Sequence, residues 1–112
     1  MKNDNSNKPL AKKLYIAGKI GNLPFHQVQN KFGLAKEFLT SIGYDAVIPL
    51  EFTHNHGKTW AEYMIEDLTE LNKCDGICML PCWEDSPGAK IEHAFAVGAG
   101  KQVLMYSEME CF

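Results

Sequence analysis

The sequence predicts an α/β fold, a three-layer, flavodoxin- or Rossmann-like parallel sheet of four to five strands with helices on both faces. Three observations predict it. Short apolar runs alternate with stretches of helical spacing in the order β-α-β-α-β-α-β, the pattern of a parallel sheet. The runs KLYIAG, DAVIP and GICMLP each end in Gly or Pro, residues that mark the exit from a strand. The chain has 112 residues, 46% hydrophobic and 22% charged, which suits one core and one domain.

Residues 1–12 are expected to be a disordered polar leader, because MKNDNSNKPLAK has no apolar stretch of the kind a secretory signal needs. A single domain is expected over 13–112. Lys13 to Gly18 reads as the first strand. The loop GKIGNLPF follows, with two glycines and a proline. From about Val28 to Ile42, Val28, Phe32, Ala35, Phe38, Leu39 and Ile42 recur every three or four residues on one helical face, and Gly43 ends the helix. Asp45 to Pro49 is the second strand. Glu51 to Lys58 is a polar loop. Thr59 to Lys73 is the second helix, with Thr59 and Glu62 spaced as a capping box and Trp60, Met64, Leu68 and Leu71 on one stripe. Gly76 to Leu80 is the third strand and Lys101 to Tyr106 the fourth.

Composition narrows the partners. The formal net charge is -3 and the basic residues form no block, so a nucleic-acid-binding face is disfavoured. No apolar run approaches the roughly 20 residues of a membrane span. Cys74, Cys78 and Cys82 recur every four residues and lack paired C-x2-C knuckles, so buried free thiols are expected, as suits a cytoplasmic protein. His54 and His56 do not complete a metal site by themselves. Neither G-x-G-x-x-G nor the P-loop pattern is present, and no cofactor or metal is expected.

The stretch from Leu80 to Gly98, LPCWEDSPGAKIEHAFAVG, is the candidate site. It passes from a strand through a turn at Ser86, Pro87 and Gly88 into a helix bearing Glu92. Right-handed crossovers bring this turn and the loop after the first strand to one crevice. That crevice would gather Tyr15, Asp67 and Glu92. Two carboxylates with a phenol suit glycosidic chemistry, in which one carboxylate attacks the anomeric carbon and the other handles the proton of the leaving group. A nucleophilic Glu must be ionised, and a helix start favours that state. Ser86 and the N–H groups around Gly88 and Ala89 suit a phosphate oxygen.

The pieces KLYIAGKIG, GYDAVIP, W-x-x-Y-M-x-x-D-L-x-x-L-x-x-C-D-G-I and LPCWEDSPGAKIEHAFAVGAGKQV, in that order, resemble the nucleoside 2-deoxyribosyltransferase superfamily. The likeness runs from about Lys13 to Tyr106. It is similar above all to the small bacterial and phage branch and to the 2'-deoxynucleoside 5'-phosphate N-hydrolases. The resemblance implies that Glu92 is the nucleophile of a covalent glycosyl-enzyme, that Asp67 assists departure of the base, and that Tyr15 hydrogen-bonds the nucleophile. It implies that Gly18, Lys19 and Gly21 lie at the sugar-phosphate end. The transferases carry an aspartate six residues before the nucleophile, whereas the monophosphate hydrolases carry a serine that contacts the 5'-phosphate. Ser86 stands there in this chain.

The expected reaction is hydrolysis of the N-glycosidic bond of a 2'-deoxynucleoside 5'-monophosphate. The alternatives are base exchange by a deoxyribosyltransferase and nucleotide binding without cleavage. The partner is a nucleoside or nucleotide. Trp83 could stack on its base or pack at a subunit interface. The resemblance and the small chain together imply a homodimer or higher homo-oligomer.

Overall fold

The structure is a computed structural model and describes residues 12–21, 23–49 and 57–106. Its elements are β1 (Lys13–Ala17), α1 (Phe25–Ser41), β2 (Asp45–Val47), α2 (Trp60–Asn72), β3 (Gly76–Met79), α3 (Pro87–Gly98) and β4 (Gln102–Met105). A short 3-10 turn, Trp83–Asp85, joins β3 to α3. The four strands are parallel and stand in the order β2-β1-β3-β4. The expected fold class is therefore found, with four strands among the described residues.

Alternation along the central strands builds the three layers. Leu14 and Ile16 of β1, with Cys78 and Leu80, pack against Val28, Phe32, Ala35 and Leu39 of α1. The intervening Tyr15 and Ala17, with Ile77 and Met79, face the other way onto Leu71 of α2 and Ala89 and Ala96 of α3. A strand covered on both faces needs no polar side, and all four residues of β3 are buried.

Local chemistry sets the element ends. α1 begins three residues before the expected Val28, because the Pro24 carbonyl accepts from Gln27 and Val28 N–H at 3.0 and 3.2 Å and so starts the helix early. β2 ends at Val47 rather than Pro49. α2 opens on the expected capping box: Glu62 N–H donates to Thr59 Oγ1 at 3.1 Å, and Thr59 N–H donates to Glu62 Oε1 at 2.8 Å.

Three readings of helix faces need correction. Phe38 and Ile42 of α1 are 41% and 55% exposed, and Phe38 stacks on Tyr106 with ring centroids 5.2 Å apart. Lys31 takes a buried position on that face instead. Trp60, expected on the buried stripe of α2, is 57% exposed. Cys74 and Cys78 are buried free thiols as expected, but Cys82 is a disulfide cysteine. The leader up to residue 11, His54, His56, Cys111 and the last six residues lie outside the described residues. No helix among the described residues is long and apolar enough to cross a membrane.

Candidate active site

Because all strands run the same way, their C-terminal ends share one edge. The chain leaves β1 there through Gly18 to Gly21. A Cβ on Gly18 would lie 3.1 Å from the Leu80 Cβ and 3.2 Å from the Phe32 ring, so a side chain there would push on its neighbours and glycine lets this loop sit close to the neighbouring exit. The chain leaves β3 at the same edge and turns through Trp83–Asp85. Ser86 then caps α3, its Oγ accepting from Ala89 N–H at 3.1 Å, and Pro87 takes the first helical position. α2 and α3 both start at this edge, so their first turns form a wall facing the β1–α1 loop.

A cleft of about 270 Å³ opens between them. The loop contributes Gly18, Ile20 and Gly21; α2 contributes Trp60, Tyr63 and Met64; α3 contributes Ser86 to Ala89 and, at the base, Glu92. Met64 and Gly88 fit closely, since a Cβ on Gly88 would come within 3.2 Å of the Met64 sulfur. A second groove of about 410 Å³ shares Gly21, Ser86 and Pro87 and adds Lys19, Leu23 and Asp85.

Three acidic or phenolic groups meet beneath the cleft. Glu92 is 4% exposed, while Asp67 and Tyr15 are wholly buried. Tyr15 reaches across from β1 and donates its hydroxyl to Glu92 Oε2 at 2.7 Å. Burial pushes the Glu92 carboxyl from its ordinary 4.5 up to about 8; the Tyr15 hydrogen bond pulls it down, and the Asp67 charge pushes it up again. Glu92 is thus largely protonated at neutral pH. The expectation that the helix start keeps it ionised fails for a positional reason. Glu92 lies six residues past the Ser86 cap, in the second turn, whereas the favourable helix field fades within the first.

The structure therefore brings Tyr15, Asp67 and Glu92 together. It sets Gly18, Gly21, Ser86, Gly88 and Ala89 around the cleft, and Lys19 in the adjoining groove. Trp83 does not line either. It opens the 3-10 turn, and its indole packs on the His93 ring of α3 with centroids 4.4 Å apart and against the apolar cluster around Tyr15. Trp60, Tyr63 and Met64 line the cleft without having been singled out as site residues. Their signal was topological: the first turn of a crossover helix lies at the strands' C-terminal edge. Spacing alone had made Trp60 and Met64 members of a core stripe. Asp67, one turn further along α2, is correspondingly deeper.

The sequence profile of the domain of unknown function DUF4406 matches residues 12–105. This chain belongs to the DUF4406 family. No curated protein matches it significantly. A solved structure of a 2-desoxiribosyltransferase from Leishmania mexicana is similar, with a TM-score of 0.64 and 21% identity over 85% of this chain. The match covers 63% of that chain, so this DUF4406 protein spans less than two thirds of its length. The likeness is one of fold: a parallel sheet with helices, built as in the deoxyribosyltransferase.

Proposed function

We propose that this DUF4406 protein cleaves the N-glycosidic bond of a 2'-deoxynucleoside 5'-monophosphate through a covalent glycosyl-Glu92 intermediate. The observation that carries the reading is the Tyr15 hydroxyl donating to a nearly buried Glu92 carboxyl at the base of a cleft. Glu92, once ionised, attacks C1' as the base departs through an oxocarbenium-like state. Tyr15 holds the attacking carboxylate in place. Asp67, which lies under the cleft rather than in it, supplies or relays the proton to the departing base. Water resolves the glycosyl-enzyme and releases deoxyribose 5-phosphate. Splitting the displacement in two lowers each barrier. Ser86 and the first turn of α3, with Lys19 in the next groove, suit the 5'-phosphate. If a second base resolves the intermediate instead, the outcome is transfer, the activity named for the Leishmania mexicana structure.

The test is base release from deoxynucleosides and their 5'-monophosphates, followed by chromatography. Release from monophosphates, reduced at least about a thousandfold in Glu92→Ala, is the expected result. Unchanged turnover in that variant overturns the assignment of Glu92. Release from nucleosides with exchange into an added base makes the protein a transferase. Nucleotide binding without release from any substrate leaves a binding protein.

The assembly proposed is a homodimer or larger. A cleft of about 270 Å³ falls below the roughly 300–1,000 Å³ typical of sites that enclose a small molecule. The two helices that wall it also expose Ile65 (66%), Ile91 (40%) and Val97 (56%). A monomer by light scattering at micromolar concentration overturns this.

A further inference from the structure

Lys31 is the one charged residue among the five buried positions of α1, and it is 1% exposed. The other four are Val28, Phe32, Ala35 and Leu39, an ordinary apolar stripe. An aliphatic side chain would complete that stripe without the cost of desolvating an ammonium. A buried lysine is therefore informative through what its head group touches. Lys31 Nζ donates to the backbone carbonyl of Lys19 at 3.1 Å, and it stands 5.8 Å from the centre of the Phe32 ring. The contact spans twelve residues and ties α1 to the loop between β1 and α1.

That loop is the part of the cleft with the least framework of its own. It carries Gly18, Lys19, Ile20 and Gly21, and Gly21 has φ of +37°. Lys19 and Gly21 line the groove that continues past Ser86 and Pro87. The charges there favour an anion. Burial disfavours the Lys31 cation and the nearby Lys19 charge adds to this, a repulsion that an anion between the loop and α3 would relieve. The start of α3 adds the partial positive charge of its free N–H groups. Asp85, exposed at the groove, is the one opposing charge among the residues lining it.

We infer that Lys31 is a positioning residue for anion binding: its buried ammonium holds the Lys19 carbonyl, and so fixes the loop that presents Lys19 and Gly21 to a phosphate group lying against Ser86 and the start of α3. The inference rests on the phosphate reading above and names the part of the fold that sets that subsite. Lys31 acts through the loop and does not touch the substrate.

Two measurements test it without needing turnover. The first is amide hydrogen exchange of residues 18–21 in wild type, Lys31→Met and Lys31→Arg. The Met variant is expected to keep its thermal midpoint, because the apolar side chain suits the stripe, while the loop amides exchange about tenfold faster. The Arg variant is expected to restore protection. The second is titration with inorganic phosphate. Lys31→Met is expected to bind about tenfold more weakly than wild type. In isotopically labelled wild-type protein, the Lys31 side-chain signal is expected to move on adding phosphate while that of Lys101, at the far edge of the sheet, stays still. This last readout needs no variant to fold. Wild-type loop exchange and wild-type phosphate affinity in a folded Lys31→Met protein overturn the inference, as does a Lys31 signal blind to bound phosphate. If wild type binds no phosphate, the phosphate subsite falls, while the exchange data separately decide whether Lys31 holds the loop.

Discussion

Two carboxylates at opposite edges of the same sheet show how position alone sets what an acid can do. Asp75 stands where β3 begins, exposed to water. Its Oδ2 accepts from the N–H groups of Lys12 and Lys13, each at 3.0 Å, and those hydrogen bonds hold its carboxyl below the usual aspartate range. Glu92 stands where β1 and β3 end, almost without solvent, beside a phenol and a second buried acid. Its carboxyl is raised to about 8. The first edge stabilises charge by pairing it with strand ends that need acceptors. Lys101 does the converse there, donating to the carbonyls of Asn72 and Cys74 at 3.1 and 2.7 Å to finish α2. The second edge gathers ionisable groups that stabilise one another poorly. The fold satisfies its charges at one end and leaves them costly at the other, and the candidate site lies at the costly end.

The largest test of that contrast is the pH dependence of stability. Below pH 4.5, Glu92 is protonated in the folded and unfolded chains alike. Between 4.5 and about 8 the unfolded chain gives up the proton and the folded chain keeps it, so stability falls as pH rises. Above about 8 both are ionised and the deficit is constant, on the order of 5 kcal/mol. Glu92→Gln mimics the protonated acid and lacks this penalty. Denaturant unfolding of both proteins at pH 5, 7 and 9 is expected to show the variant gaining steadily on the wild type, with most of the difference in place at pH 9. Parallel curves would show that Glu92 is not held protonated, and the contrast between the two edges would collapse. Under the proposed mechanism the same titration predicts that base release rises with pH toward about 8, since the carboxylate proposed to attack must first lose its proton.

How much of this was legible beforehand depends on the length scale. The parallel sheet was readable because apolar runs and helical periodicity are local patterns, and Ser86, Pro87, Thr59 and Glu62 sit within a turn of what they cap. The meeting of Tyr15 with Glu92, 77 residues apart, followed from topology and the family resemblance, not from spacing. The protonation of Glu92 was read wrongly because helix position argues for charge, while burial, which outweighs it, belongs to the tertiary structure. Asp67 was placed at the crevice by topology and the family resemblance, since a mid-helix acid is usually solvated and nothing local announces that this one has no exposure. Lys31 was invisible for a related reason. Periodicity placed it next to the apolar stripe, but only the packed loop supplies the Lys19 carbonyl that makes its burial tolerable. Trp83 packs on His93 rather than in the cleft because its place is set by a 3-10 turn that no motif marks, and Trp60 lines the cleft because it opens α2 at the C-terminal edge of the strands.

The smallest expected effect completes the comparison from the other edge. Asp75→Asn keeps the shape of the side chain and an acceptor oxygen, but removes the charge that strengthens the contacts with Lys12 and Lys13. Because the folded carboxyl is held below its ordinary 3.8, the stability it contributes is present above that pH and disappears as pH falls through the lower folded value. The variant is therefore expected to lose a little stability at neutral pH and to differ least from wild type in strong acid, the opposite direction to Glu92→Gln. Base release is expected to be unchanged, since Asp75 lies at the edge remote from the cleft. Thermal unfolding at pH 3 and 7, alongside the release assay, checks both points. A large loss of activity with little loss of stability would mean that the N-terminal edge reaches the site through β3, and the division of labour between the two ends of the sheet would have to be redrawn.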